Sequence, residues 1–243
     1  MILLLTNDGD FSSNVVMSEI RSLGCECLRI NTSDVLNGRF ELDVYRGVPS
    51  FNGVQLRPED INSVWFRKFG FYNSSPQHAV VRKIFEGTFP ASLSAEFAKV
   101  IEYLEFLFRK AFWLTSPKTV RVNKMIALSL AQEVGFDVPL TRIVSRRDDL
   151  VRAESEIGPL ITKSAYDPNM VNYKGVSYSM FTKTISKDDI EKLPERFMPS
   201  LVQQRLCKRY EVRTFYLMGK CYSMAILSQR NSGQSITMLS MKI

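Results

Sequence analysis

Residues 1–31 constrain the fold more than any other part of the chain. The strand-like run ILLLT is followed by the polar turn NDGD, by SSNVVMSEIRSLG with apolar residues at helical spacing, and by a second strand-like run, CECLRIN. Gly24 follows the helical segment, where a left-handed C-terminal cap would lie. A strand, a helix and a strand in this order indicate a parallel α/β unit, so we predict an α/β fold.

The rest of the first half predicts a further strand and a long helix. NSVWFRKFGFY alternates like a strand that ends at Arg67 and Lys68, whose side chains either contact a phosphate or carboxylate or are simply solvated. In SLSAEFAKVIEYLEFLFRKAFWL, apolar residues recur with the 3.6-residue period of a helix packed on a core. Residues 115–117, Thr-Ser-Pro, interrupt this pattern, and we predict a domain boundary there.

The second half alternates short strands with short helices. The helix in VNKMIALSLAQEVG is predicted to begin after Asn123, a favourable N-cap, and to end at Gly135. Ser145 and Ser186 each precede an aspartate by three residues, the spacing of a capping box at a helix start. The predicted strands are PLTRIVS, PLITKS, VSYSMFTKTI, LVQQRL, YEVRTFYLMG and KCYSMAILSQ, of which the last two are joined by a tight turn.

Composition excludes some classes of protein and leaves others open. The chain has 243 residues and a formal net charge of +7, which suits nucleic acid, phosphates or solubility alone and selects none of them. The apolar run at the N-terminus is shorter than that of a secretory signal, and no run reaches the roughly 18 residues that span a bilayer. We therefore predict a cytoplasmic protein without a membrane partner. The sequence motifs of P-loop enzymes, dinucleotide-binding folds, zinc proteases and serine hydrolases are absent.

The cysteines and the single histidine predict no metal site. Cys25 and Cys27 lack a second ligand pair, and His78 stands alone in the sequence. We expect the thiols of these two cysteines, and those of Cys207 and Cys221, to be buried in the core, because unpaired cysteines commonly are.

The candidate binding residues are two lysines and a glutamate–arginine pair. Lys124 begins a helix, where backbone N–H groups and the helix dipole attract anions. Lys163 ends the apolar run PLIT, where its ammonium would be partly buried unless an anion compensates it. Glu211 and Arg213 lie two residues apart on one strand and share a face. These residues either grip a ligand with hydroxyls and phosphates, or the pair is an ion pair and the lysines reach water.

The order of these segments resembles the ATP-grasp superfamily of carboxylate ligases. It resembles more closely the ATP-grasp peptide maturases of graspetide systems, relatives of the microviridin ligases, and in particular the grasp-with-spasm type. The resemblance implies an ATP-grasp fold with a pre-ATP-grasp domain at 1–116, an N-lobe at 117–200, and the hinge and beginning of the C-lobe at 201–243. The segments that carry it are MILLLTNDGDFSSNVV, RIN at 29–31, SVWFRKFGF, WLTSPKTVRVNKMIALSLAQEVGFDVPLTRIVS and LVQQRLCKRYEVRTFYLMGKCYSMAILSQ.

The resemblance also implies roles for individual residues. Lys124 and Lys163 match the lysines that bind ATP phosphates, Glu211 the acid that binds the ribose hydroxyls, and Arg213 a basic catalytic residue near the phosphates. The families of this type bind Mg²⁺ through acids on their final strands, but no Asp or Glu follows Glu211. We therefore expect a C-terminally truncated lobe, with the magnesium ligands beyond the end of this chain. The hinge residues implied to meet adenine are Gln203, Gln204, Arg205, Leu206 and Cys207.

Three functions follow from these observations. The resemblance implies an ATP-dependent ligase that joins Asp or Glu side chains to Lys, Ser or Thr side chains of a ribosomal precursor peptide through an acyl phosphate. A leader segment of the peptide would dock on the enzyme, and the resemblance allows a homodimer. The second function is a truncated, non-catalytic remnant that binds ATP or peptide. The third, binding of nucleic acid through the aromatic residues near Arg67 and Lys68, is disfavoured because no nucleic-acid-binding motif accompanies them.

Overall fold

The chain forms two compact units, Met1–Arg121 and Val122–Ile243. The computed structural model describes residues 1–70, 80, 84, 89–165, 170–173, 176–179 and 181–227. His78, the aromatic residues Phe71 and Tyr72, and the end of the predicted strand KCYSMAILSQ lie outside the described residues. The domain boundaries predicted after residues 116 and 200 remain predictions.

The first unit is organised by a parallel sheet. Its elements are β1 (Ile2–Thr6), α1 (Phe11–Ser22), β2 (Cys27–Asn31), α2 (Thr32–Leu36), β3 (Phe40–Asp43), β4 (Val48–Phe51), β5 (Val54–Gln55), β6 (Ser63–Phe66), α3 (Phe89–Leu107) and β7 (Phe112–Leu114). The main sheet has the order β2-β1-β6-β7, and all of its neighbouring strands are parallel. The predicted parallel α/β unit is confirmed. Strands β3, β4 and β5 form a separate antiparallel sheet.

The core of the first unit joins the parallel sheet to α3. The helical face predicted from the apolar spacing is the face that packs on this core. Gly70 has a φ of +91° and passes close to α3, because a Cβ there would lie 2.8 Å from Ile101 Cδ1. The buried apolar residues are Leu3, Leu5, Ile30, Leu56, Ile61, Val64, Phe66, Phe69, Leu104 and Phe108.

Two of the aromatic residues considered for stacking on nucleic acid belong to this core. The rings of Phe66 and Phe69 are both buried and meet edge to face, with their centroids 6.1 Å apart. Their faces are therefore not available to bases, which weakens the nucleic-acid alternative further.

The second unit contains an antiparallel sheet and a hairpin. Its elements are α4 (Lys124–Glu133), β8 (Thr141–Arg146), α5 (Arg147–Ile157), β9 (Leu160–Thr162), β10 (Met170–Tyr173), β11 (Val176–Ser179), β12 (Lys183–Thr184), α6 (Lys187–Glu191), β13 (Arg196–Gln204), β14 (Glu211–Leu217) and β15 (Lys220–Ile226). The sheet has the order β12-β9-β13-β8, and its core includes Leu150, Leu160 and Val202. Strands β10 and β11 pair separately.

Two of the three predicted N-terminal helix caps are confirmed. The side chain of Asn123 accepts bonds from the N–H groups of Met125 and Ile126, and Ser186 forms the predicted capping box. The cap predicted at Ser145 is wrong. Ser145 lies inside β8, which continues to Arg146 because Arg146 pairs with Arg196 of β13, so α5 begins one residue later without a side-chain cap.

The hairpin of β14 and β15 has the predicted tight turn. Leu217 pairs with Lys220, and Met218 (φ +45°) and Gly219 (φ +85°) between them both have the left-handed backbone of a two-residue hairpin turn. Apolar side chains of both strands are exposed, among them Phe215, at 70%, and Tyr222.

The prediction that the cysteines are core thiols is wrong. Cys25, Cys207 and Cys221 are exposed and Cys27 is half-buried, all four as free thiols. The positions explain this result: Cys25 follows the C-terminal cap of α1, Cys207 lies in the loop after β13, and Cys221 belongs to the exposed hairpin.

Within the described residues, no helix combines the length and the apolar character needed to cross a bilayer.

Candidate functional site

The candidate site is built on the end of β13, an inner strand of its sheet. Gln203 pairs with Thr141 of β8 on one side and with Ile161 of β9 on the other. Its side chain is buried, so both ends of the amide require hydrogen-bond partners. Gln203 Nε2 donates to Thr141 Oγ1 at 2.7 Å, and Gln203 Oε1 accepts a bond from Lys163 at 2.8 Å. The amide therefore links three segments of the chain.

Lys163 immediately follows β9, so it lies at the end of an apolar strand, as predicted from the run PLIT. The residue is half-buried, and its ammonium is held by Gln203. Among the residues described, no carboxylate oxygen lies within the 4.0 Å limit of an ion pair with Lys163. A partly buried charge in this position is costly unless a ligand supplies the anion.

Lys124 is the first residue of α4. Its Nζ donates to the carbonyl oxygen of Ser164 at 2.9 Å, and this contact brings Lys124 beside the residue that follows Lys163. The cap formed by Asn123 already uses the N–H groups of Met125 and Ile126. The ammonium, rather than these two helix N–H groups, is therefore the donor that Lys124 brings to the site.

The surroundings of Lys163 lower the pKa of its ammonium. Burial is the main cause, and the positive charges of Lys124 and then Lys208 add to it. Lys208 was missed by the sequence analysis, although it lies in the stretch QQRLCKRYEVR that supplied most of the predicted site. Ammonium groups close enough for two of them to lower the pKa of the third favour a polyanionic ligand.

Glu211 and Arg213 lie at the start of β14, and Glu211 also contacts Lys208. Lys208 Nζ lies 3.0 Å from Glu211 Oε2, and Arg213 Nε lies 3.5 Å from Glu211 Oε1. The bond from Lys208 is the main reason why the pKa of Glu211 lies below its ordinary value. The predicted pairing of Glu211 with Arg213 is therefore present, but Lys208 is the nearer partner.

In the hinge segment, hydrogen bonds fix the first two side chains, and the last three side chains are exposed. Gln204 N–H donates to the Leu140 carbonyl at 2.8 Å, and Leu140 N–H donates to Gln204 Oε1 at 3.4 Å. Arg205 N–H donates to the Pro159 carbonyl at 2.8 Å. The side chains of Arg205, Leu206 and Cys207 are exposed.

The geometry joins some of the predicted site residues and leaves others apart. Lys124, Lys163 and Gln203 form one connected group, and Glu211 and Arg213 form another, to which the ammonium of Lys208 belongs. Leu206 and Cys207 are exposed loop residues, and within the described part of the chain no side-chain hydrogen bond joins them to either group.

Phosphates fit this donor set, whereas magnesium does not. A triphosphate offers several charged oxygens, which suit a group of ammonium donors. Mg²⁺ needs carboxylate or other oxygen ligands. Within the described ranges, no group of three or more His, Cys, Asp and Glu side chains could hold a metal ion.

Comparison with known proteins relates this fold to solved structures. No protein-family model and no curated protein matches the sequence. The chain is similar to macrocyclase MdnC from Microcystis aeruginosa MRC, bound with precursor peptide MdnA, at 20% identity and a TM-score of 0.79, over 95% of this chain and 76% of that one. It is also similar to a RiPP-associated ATP-grasp ligase from Chryseobacterium gregarium, in complex with ADP and a leader and core peptide. That match has 23% identity and a TM-score of 0.76, over 95% of this chain and 70% of that one.

A third similar structure is the ATP-grasp ligase PsnB, complexed with minimal precursor, Mg and ADP. It matches at 17% identity and a TM-score of 0.61, over 88% of this chain and 68% of that one. At identities this low, structural similarity shows the fold but not the activity. The chain therefore has the ATP-grasp fold, as the resemblance in the sequence predicted.

Proposed function

We propose that this chain is a graspetide-type ligase of the ATP-grasp family. It would use ATP to join a side-chain carboxylate of a precursor peptide to an amine or hydroxyl group of the same peptide. The observation that carries the proposal is the half-buried ammonium of Lys163, which Gln203 holds and which no carboxylate of the described residues neutralises. The fold supports it, because one similar ATP-grasp ligase was solved with ADP and a leader and core peptide, and another with minimal precursor, Mg and ADP.

Lys163 and Lys124 are proposed to bind the phosphates of ATP. An ammonium has three N–H donors, and Gln203 accepts one of those of Lys163. A hydrogen bond between an ammonium and a phosphate contributes about 1.5–3 kcal/mol. Lys208 adds a third positive charge to the same region, which helps to attract the nucleotide.

The remaining site residues are assigned to the nucleoside and to the transferred phosphoryl group. Glu211, ionised and oriented by Lys208, would accept hydrogen bonds from the ribose hydroxyls. Arg213 would stabilise the charge that develops near the phosphates. The hinge residues proposed to contact adenine are Gln204, Arg205, Leu206 and Cys207, whereas the amide of Gln203 is already bonded to Thr141 and Lys163.

Such a site needs to position its reactants and neutralise charge, and it needs no histidine base. ATP, when bound, supplies the phosphoryl group that activates the carboxylate as an acyl phosphate, and ADP is the leaving group. The amine or hydroxyl would then attack the acyl carbon, lose its proton and displace inorganic phosphate. The lysines hold the phosphates in place, and Gln203 keeps Lys163 oriented toward them.

The test is a calorimetric titration of the purified chain with a non-hydrolysable ATP analogue, in magnesium and in EDTA. Lys163→Ala is compared with Lys187→Ala, which removes an exposed lysine of the same unit at the start of α6. We expect binding by the wild type and the control, and weak binding by Lys163→Ala. Equal affinity in all three proteins would contradict the assignment of Lys163.

Ligase activity is tested separately with ATP and a synthetic peptide that carries Glu, Lys, Ser and Thr. Hydroxylamine would trap an acyl phosphate as a hydroxamate, and mass spectrometry would detect loss of water for each bond formed. Nucleotide binding without either product on peptides of this kind would favour the alternative, a non-catalytic protein that binds ATP or peptide.

A further inference from the structure

The first unit has a second group of charged residues, at the carboxyl ends of its parallel strands. Arg67 and Lys68 follow β6, Arg29 lies on β2, and Asp10 ends the loop after β1. We call these four residues the edge cluster. In open parallel sheets, ligands bind in the crevice outside this edge. The residues proposed to bind ATP do not include any member of the edge cluster.

Asp10 is the fixed centre of the edge cluster. Its side chain is 1% exposed and caps α1 by accepting the N–H of Ser13 at 3.1 Å. Arg67 Nε lies 2.9 Å from Asp10 Oδ2, and Lys68 Nζ lies 3.0 Å from Asp10 Oδ1. Burial raises the pKa of Asp10, but the bonds from Ser13, Lys68 and Arg67 outweigh it and hold that pKa well below its usual range. Asp10 is therefore ionised and orients both cations.

Arg29 adds a positive charge on the other side of the same loop. Its guanidinium donates to neutral oxygens: Asn31 Oδ1 at 2.7 Å, the Asn7 carbonyl at 2.6 Å, and Asn14 Oδ1. No carboxylate oxygen in the described part of the chain lies within 4.0 Å of it. The Asn7 carbonyl also accepts the N–H of Asp10 at 3.3 Å, so Arg29 and Asp10 meet at one loop residue.

The edge cluster has more positive than negative charge. Asp8, the other acid of this loop, accepts a bond from Ser33 Oγ at 2.8 Å. Even with Asp8 counted, the three cations exceed the two carboxylates by a single charge. One uncompensated positive charge matches a singly charged carboxylate better than a doubly charged phosphate.

The edge cluster is also open to a ligand. Arg67 and Lys68 expose 37% and 52% of their side chains, although both contact the buried Asp10. Gly9 in the loop is exposed and has no heavy atom within 4 Å of the place where a Cβ would lie. Lys68 has a φ of +57°, which is uncommon for a lysine and often marks a functional position.

We infer that the edge cluster binds an acidic side chain of a peptide, with Arg67 and Lys68 as the contacting cations and Arg29 as a supporting charge. Arg67 uses its Nε on Asp10 and contacts Ser12 Oγ through Nη2 at 3.3 Å, which leaves further donors of its guanidinium for a carboxylate. The inference rests on the proposed function in that the peptide substrate carries the acidic side chains to be joined.

The test measures binding of a fluorescently labelled oligoglutamate peptide to the full chain at low salt, by anisotropy. Lys68→Gln is the main variant, because it leaves the ion pair of Arg67 with the buried Asp10 in place. The matched control is Lys110→Gln, an exposed lysine two residues before β7 and therefore at the opposite, amino-terminal edge of the sheet. A labelled oligoglutamine peptide controls for contacts that do not involve charge.

Lys68→Gln should weaken oligoglutamate binding at least about tenfold, Lys110→Gln should leave it unchanged, and Lys68→Arg should restore most of it. Equal binding by wild type and Lys68→Gln, at an unchanged melting temperature, would overturn the inference. Binding of inorganic phosphate by the edge cluster, without binding of oligoglutamate, would also overturn the inference.

Titration of the same samples with the ATP analogue separates the two proposals. If Lys68→Gln loses oligoglutamate but keeps the nucleotide, the inference stands beside the proposed function. Lys163→Ala should give the opposite pattern, weak nucleotide binding with oligoglutamate binding kept, because Lys163 is not a residue of the edge cluster. Wild-type protein that binds oligoglutamate but no nucleotide would contradict the proposed function alone.

Discussion

Replacement of Lys163 by methionine should weaken binding of the ATP analogue about 10- to 100-fold. Methionine keeps an apolar side chain of similar length and removes the ammonium. Gln203 accepts one of the three N–H groups of Lys163, so one or two remain for phosphate oxygens. One lost bond of about 1.5 kcal/mol gives the lower limit and a loss of about 3 kcal/mol gives the upper one, because about 1.4 kcal/mol corresponds to a tenfold change.

The pH dependence of nucleotide binding tests whether the Lys163 ammonium is the group that binds the phosphates. In the free protein, the pKa of Lys163 lies below its ordinary value because of burial, Lys124 and Lys208. A phosphate beside the ammonium would raise this pKa, so the bound state would hold the proton more tightly than the free state. The affinity should therefore be constant below the free-state pKa and fall as the pH rises through it. Lys163→Met should lack this part of the pH dependence.

The assay is calorimetry over an alkaline pH series, with melting curves to check the fold. Lys163→Met leaves the buried Gln203 Oε1 without its donor, which costs about 1–3 kcal/mol, and also removes a desolvated charge, which offsets part of that cost. Lys187→Met is the control for loss of a lysine. An affinity within twofold or so of wild type, or the same alkaline loss of binding in Lys163→Met, would refute the reasoning.

Three further predictions concern single residues. Glu211→Gln should reduce the preference for ATP over inorganic triphosphate about tenfold in competition titrations, and an unchanged preference would remove Glu211 from the ribose site. Asn123→Ala should lower the free energy of unfolding by about 1 kcal/mol in denaturant, because it removes the cap on the first N–H groups of α4. The pKa of Asp10 is lower in the folded protein than in the unfolded chain, so the unfolded chain binds a proton first as the pH falls. The free energy of unfolding should therefore decrease below a pH of about 4. The melting temperature of Asp10→Asn should fall less at acidic pH than that of the wild type. The same fall in both proteins would contradict this prediction.

Local sequence patterns predicted most of the elements, because each one depends on near neighbours in the chain. The apolar period of α3, the cap at Asn123 and the turn at Gly219 all involve residues a few positions apart. The cap at Ser145 failed for the opposite reason. Pairing of Arg146 with Arg196, fifty positions away, extended β8 past the serine, and no local pattern records such a pairing.

The site was predicted only in part, because its contacts join distant segments. The sequence indicated that Lys163 would be short of a counter-charge, but not that Gln203 would hold it. Lys208 was missed because its importance comes from its effect on Lys163, which lies far from it in the chain. Its spacing of three residues from Glu211 was the one local signal that could have indicated it. The cysteines were misplaced because burial depends on tertiary packing.

The amide of Gln203 has only one workable orientation. If it were rotated by half a turn, its NH₂ group would face the Lys163 ammonium, donor against donor, and its oxygen would face Thr141 Oγ1. Thr141 Oγ1 donates in turn to the Pro139 carbonyl at 2.8 Å, so its hydrogen is already committed and it must accept from Gln203. Three hydrogen bonds thus connect the Pro139 carbonyl to Lys163 through the side chains of Thr141 and Gln203. Lys163 is held in position before any ligand arrives, and association loses less side-chain entropy than it would with a freely rotating lysine.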